Sequence, residues 1–417
     1  MLTTVRAEAP SDAPLPGPAA ALARDCLLRS LDVAELLVHD VLVPVAATAD
    51  PPDQVKEVAE VAMLLRMAHR LGDEPITARV ETLAEAIAPL ARSESIRRQL
   101  VGRVSAAAPK FLAHACLSSI GLTDDQFERV VTQALTSSAA CAAERVPFRI
   151  LDVAWIRHLI LGDQELLDHP VLPLTCLGQG VDLVGANVDA AYALSHTLPY
   201  ATDFGRLELP SWVDRAKQSQ LADALIAKAL AADDLDLLGE LLMTAPLLRL
   251  PWSPMQVFGW TVLTEVWRDH PILPGPGIPR ASGPEDELTR RRRVLGTVYH
   301  TPLVGGLLMA TALWRRHLPP DDFTATTARE SPPRGPALDA TLKPAWRAVW
   351  ARLSEGERQR SQIAPWLVAL HQAVDALDAA GLLALLRQPQ AAHAPTEPVR
   401  QAVELLQRLV QAGTPSE

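Results

Sequence analysis

Apolar positions recur at helical spacing along most of the chain, and no stretch sustains the alternation of a half-buried strand. Over residues 20–43, Leu27, Leu28, Leu31, Val33, Leu36 and Leu37 mark a helix that Pro44 is expected to stop. Residues 53–71 predict a second, with Val55, Val58, Val61, Ala62, Leu65 and Ala68 on one side and Gly72 closing it. Further helices are expected over 77–90, 95–120, 124–145 with Thr123 as N-cap, and 152–161 closed by Gly162. The pattern resumes over 182–198, where Pro199 ends or kinks it, then over 211–231, 233–244 and 254–270. A segment over 285–317 carries breaks at Pro302 and Gly305-Gly306, and the chain closes with helices over 344–353, 362–380 and 396–412.

About fourteen helices in antiparallel-looking pairs predict an all-α fold, either an α/α toroid-like ring or an α-solenoid of antiparallel helical hairpins. Composition shifts divide it into a disordered Pro/Ala-rich tail (1–20), an N-terminal helical part (21–162) and a central helical core (163–318). A Pro-rich linker or loop (319–340) and a C-terminal helical part (341–417) follow.

Composition narrows the function. Among the 417 residues Ala and Leu outweigh β-branched and aromatic types, and a 48% hydrophobic share supports a large helical core. A formal charge of −10 argues against a nucleic-acid partner. No apolar run reaches bilayer length and no signal-peptide pattern opens the chain, so a cytoplasmic protein without a membrane partner is expected. Cysteines 26, 116, 141 and 176 form no close pair and read as buried, reduced thiols. The Ala/Arg/Pro-heavy usage suggests a GC-rich bacterial gene.

One motif recurs. Asp168-His169-Pro170-Val171-Leu172-Pro173 is repeated as Asp269-His270-Pro271-Ile272-Leu273-Pro274, and Ser195-His196-Thr197 is echoed by Tyr299-His300-Thr301-Pro302. The first element also reads as a helix stop, an imidazole near the negative helix end followed by proline. The second is the stronger functional signal, because all three tyrosines of the chain (192, 200 and 299) lie beside His196 or His300.

On a helix ending near Pro199, Asp182, Asp189, Tyr192 and His196 share a stripe free of Lys, Glu, Arg and Gln, which points to a polar cavity wall. Histidine and tyrosine move protons near neutral pH, and a carboxylate holds an imidazole tautomer. The expected catalytic set is therefore His196, Asp203, Tyr200 and His300. Tyr192, Asp189, Thr202, Arg293, Tyr299 and Thr301 are expected to bind substrate, with Arg293 pairing Asp189 or Asp203. Glycines around His300 suggest close helix approach or room for a ligand. No cofactor is called for: GxGxxG, the Walker loop, GxSxG and HExxH are all absent. A metal, if used, would take His196, His300 and Asp203. The acidic run Asp233-Asp234-Leu235-Asp236 reads as a helix N-terminus rather than a prenyl-phosphate motif.

The pattern Ser195-His196-x-x-x-Tyr200-x-Thr202-Asp203-Phe204-Gly205, followed by Tyr299-His300-Thr301 and Gly306-Leu307-Leu308, resembles an uncharacterised family of actinobacterial all-helical proteins. The resemblance spans about residues 150–315. It implies an association with specialised-metabolite pathways and carries no activity. Pro302 stands where the family pattern suggests a second threonine.

The reading that follows is a cofactor-independent acid–base enzyme of lyase, isomerase or cyclase type, acting on a small or carrier-bound metabolite or biosynthetic intermediate. Two alternatives stay open. One is a non-catalytic α-solenoid that binds a peptide, carrier protein or partner enzyme, favoured by exposure of Trp252, Trp260, Trp346, Trp350 or Trp366. The other is a metal-dependent hydrolase or lyase. The acid–base reading requires His196 and His300 to share one cavity.

Overall fold

The helix His300–Trp314 forms the centre of the molecule: apart from His300 and Leu313, every residue along it is buried. Apolar on all sides, it can be stable in water only when surrounded, and the helices Pro18–Leu37, Val55–His69 and Leu235–Leu242 supply that cover. A computed structural model describes residues 15–46, 54–102, 108–138, 144–162, 166–181, 188–275, 286–321 and 345–413. It is all-α, with no β-strand among the described residues.

Two glycines let this centre close. A Cβ built on Gly306 would lie 2.6 Å from the Ser30 Cβ and 2.8 Å from a Leu64 methyl; one on Gly305 would lie 2.6 Å from the Trp267 ring. Both glycines therefore serve close helix approach. Neither interrupts the helix. The break falls earlier, at Tyr299, where Glu287–Val298 and His300–Trp314 meet at a bend of 52°. Pro302 is tolerated because it lies in the first turn, where no intrahelical N–H bond is required. The Ser30 hydroxyl donates to the Pro302 oxygen at 2.8 Å.

The other expected helices form with shifted ends. Pro44 does not stop the first segment, which passes through a π-turn at Val38–Leu42 and continues over Val43–Ala46. Pro199 likewise lies inside Val188–Ala201, close enough to its end that few bonds are lost. Asp124, not Thr123, caps Asp125–Thr136, and Asp214 rather than Ser211 begins Arg215–Ala232. The linker expected over 319–340 lies outside the described residues beyond 321, as does the tail before residue 15.

Segments distant in sequence pack together. Pro18–Leu37 packs along His300–Trp314, so a stack whose hairpins touch only their sequence neighbours does not describe the contacts. A boundary at residue 162 also cuts through packed helices, because Val55–His69 packs against His300–Trp314. The C-terminal helices join the same body through Ile363–Asp375 and Thr396–Gln411, both of which pack on Arg215–Ala232. No single helix is long and apolar enough to cross a membrane; the bent pair Glu287–Val298 and His300–Trp314 together meet that length and composition.

Candidate functional site

His196 and His300 line one cavity. It encloses about 90 Å³, room for several waters or a small ligand. Its walls come chiefly from four helices: Glu60 and Met63 from Val55–His69, Ser195, His196, Pro199 and Tyr200 from Val188–Ala201, Glu240 from Leu235–Leu242, and His300, Leu303, Val304 and Leu307 from the central helix. Met63, Pro199, Phe204, Leu303 and Leu307 make most of the surface apolar. The polar groups gather around the two imidazoles.

His300 is held from both sides. Its Nδ1 lies 2.7 Å from Glu60 Oε2, and its Nε2 lies 3.1 Å from Asp236 Oδ2. Carboxylates only accept, so both ring nitrogens carry protons and the ring is an imidazolium. Burial would lower its pKa, but the Asp236 and Glu60 carboxylates outweigh burial and raise it to about 10. His300 is thus a fixed cation at neutral pH.

His196 is the reverse case. Its Nδ1 lies 3.0 Å from the Tyr192 carbonyl oxygen, an acceptor, so Nδ1 carries the proton and Nε2 keeps its lone pair. Burial and the nearby Arg149 charge lower its pKa to about 4, leaving it neutral. Tyr192, His196 and Tyr200 follow one another at four-residue spacing, with ring centroids 5.4 and 5.8 Å apart. Phe148 lies 5.7 Å from the same imidazole, and Trp155 stacks on Tyr200 at 4.8 Å. These rings fix the orientation of His196.

Glu240 lies between the histidines. Its Oε2 accepts from the Ser195 hydroxyl at 2.6 Å and is 3.9 Å from His196 Nδ1, while its Oε1 is 3.8 Å from His300 Nε2. Glu240 is 93% buried, and burial raises its carboxyl to about 7, only partly offset by the Ser195 hydrogen bond. A carboxyl that exchanges its proton near neutral pH on a cavity wall is suited to general acid–base work. The helix that carries it begins at the acidic run. Asp234 caps it by accepting from the Leu237 N–H at 3.0 Å, and Asp236 and Glu240, four residues apart, face His300 together.

Asp203 does not join this group. It is fully buried, accepts from Trp155 Nε1 at 2.8 Å, and is bound by Arg66 at 2.8 Å and Arg70 at 2.9 Å. Burial would raise its carboxyl, and the two guanidiniums more than offset that, holding it below its usual value. Asp203, Phe204 and Gly205 all have positive φ and turn the chain sharply after Val188–Ala201. Asp203 therefore anchors this turn to two neighbouring helices; the catalytic assignment made from sequence is corrected to a positioning one.

Of the remaining expected residues, Tyr200 lines the cavity and Tyr192 touches His196. Thr202 is buried in the turn, where its hydroxyl donates to the Leu198 carbonyl at 2.7 Å and accepts from the Gly205 N–H at 3.0 Å. Tyr299 belongs to the core and meets His300 edge-on at 6.3 Å. Thr301 is buried and faces Gly275 rather than the cavity. Arg293 does not line the cavity, and the arginines on Asp203 are Arg66 and Arg70, with Arg206 at 3.8 Å. The Asp189 side chain and all of Asp182 lie outside what is described. A metal on His196, His300 and Asp203 does not fit: both His300 nitrogens face carboxylates and Asp203 is bound to guanidiniums. Among the described residues no group of three His, Cys, Asp or Glu side chains is arranged to hold a metal ion.

The two Asp-His-Pro elements are not functionally matched. His270 caps its own helix, its Nδ1 2.8 Å from the Val266 oxygen, whereas His169 Nδ1 accepts from the Val171 N–H at 3.2 Å. Trp252, Trp260, Trp346 and Trp366 are buried, and Trp350 is half-buried against Phe258.

Fold and site together define an all-α protein with a cavity built from one neutral and one protonated histidine and a carboxyl between them. The chain belongs to the family described as a domain of unknown function, DUF6895, whose model matches residues 20–312. Every polar cavity residue lies inside that span. No curated protein and no solved structure matches the chain.

Proposed function

We propose that the cavity is the active site of a cofactor-independent acid–base enzyme, of lyase, isomerase or cyclase type, acting on a small metabolite of bacterial specialised metabolism in the cytoplasm. The observation that carries it is Glu240: a buried carboxyl near the neutral titration range, oriented by Ser195, with Oε1 turned toward the cavity. Glu240 moves the proton. His196, neutral and with its Nε2 lone pair available, is the complementary base. His300 supplies a fixed positive charge on the wall, held there by Glu60 and Asp236. The apolar lining excludes water, and the small volume favours a compact substrate over a bulky carrier-bound one. Three buried, unpaired cysteines at 26, 116 and 176 suit a reducing compartment.

The test compares purified wild-type protein with Glu240→Gln in metabolite extract from the source organism, followed by mass spectrometry. The expected result is a compound consumed by the wild type and spared by the variant, with a wild-type rate that changes around pH 7. Consumption at equal rates by both proteins, or no compound consumed by either, refutes the reading.

A further inference from the structure

A second and larger cavity, about 520 Å³, lies between Arg215–Ala232, the start of Pro254–Asp269 and the C-terminal helices. At its wall is Asp223, 95% buried. The Ser253 hydroxyl donates to its Oδ1 at 2.6 Å, and the same hydroxyl accepts from the Gln256 N–H to cap the following helix. Among the described residues no cation pairs with Asp223. Arg360 and His393 also line the cavity but form no ion pair with Asp223, and burial raises this carboxyl to about 7. Ile363 and Pro395 supply apolar surface, and Gln220 fixes the wall by accepting from the Glu397 N–H at 3.0 Å.

We propose that this cavity binds a small primary-ammonium compound, its nitrogen donating to Asp223 and its apolar body lying along Ile363 and Pro395. A cationic donor is the partner that this carboxyl lacks, and a charge-assisted hydrogen bond is a strong one. The site is assembled jointly by the family-matched region and the C-terminal helices beyond residue 312, which gives those helices a role in ligand binding. It is independent of the acid–base cavity.

The probes are n-butylamine, n-butanol and butyrate, titrated into the full chain by calorimetry at pH 7.5. Saturable binding of butylamine is expected, with n-butanol and butyrate each at least about tenfold weaker, the loss of one charge-assisted contact. Asp223→Asn, which keeps the shape and can still accept from Ser253, is expected to weaken butylamine by about the same factor. Gln362→Trp, which fills the exposed rim without touching Asp223, is expected to weaken it as well. Glu240→Gln, in the other cavity, is expected to leave the affinity within twofold, as about the limit for an uncoupled site. Absence of saturable butylamine binding overturns the proposal. So does equal affinity in Asp223→Asn, equal binding of the uncharged or anionic probes, or loss of binding in Glu240→Gln alone.

Discussion

His300 is the residue whose removal tests the electrostatics most directly. Its imidazolium joins Glu60 and Asp236, two carboxylates from helices far apart in sequence. The folded pKa of about 10 lies above the unfolded value of 6.5. Protonation therefore favours the folded state. The stabilisation is fully present below pH 6.5, declines as pH rises, and is lost on passing pH 10. A rise of this size corresponds to about 5 kcal/mol. The ring keeps 24% exposure, so solvent screening lowers the expected value to about 3 kcal/mol. His300→Gln removes the charge at similar size. Urea unfolding of both proteins at pH 6, 8 and 10.5 reads the difference, which is expected to be about 3 kcal/mol at pH 6 and to shrink at each step upward. A difference constant across that range, or growing with pH, refutes the imidazolium assignment.

Two other perturbations separate positioning from chemistry. Asp203→Asn leaves Arg66 and Arg70 buried without their carboxylate and is expected to cost about 3 kcal/mol in thermal or urea unfolding, while Asp203→Glu recovers part of it. Gly306→Ala inserts a methyl 2.6 Å from the Ser30 Cβ and is expected to destabilise by about 2–3 kcal/mol; a melting temperature equal to wild type refutes tight packing at that point.

The sequence carried the helical fold and one half of the site. His196, Tyr192 and Tyr200 share a stripe of one helix, so their grouping follows from local spacing alone. The pairing of His196 with His300 was legible through the echoed His-Thr motif and the rarity of tyrosine. The carboxylates were not. Glu60 is one of several acidic residues on an ordinary amphipathic helix, and only tertiary packing aims it at His300. Asp236 and Glu240 did leave a signal, two acids at four-residue spacing in an otherwise apolar helix, which a solvated face does not explain. Asp203 was misread because its partners, Arg66, Arg70 and Trp155, come from two helices well upstream, and local turn chemistry accounted for an aspartate there equally well.

The two histidines show why residue type alone could not assign roles. They line the same cavity and approach the same Glu240 carboxyl at 3.9 and 3.8 Å, yet one is neutral and the other charged. The difference lies in what else each touches. His196 meets a carbonyl, a hydroxyl and aromatic rings, none of which stabilises a charge enough to offset burial. His300 meets two carboxylates that do. Glu240 lies between them: burial pushes its proton on, with Asp236 and Glu60 adding to that, the Ser195 hydrogen bond and the His300 charge pull it off, and its carboxyl comes to about 7. The His300 charge in turn depends on Glu60 and Asp236 reaching it from helices the chain brings together around its buried centre.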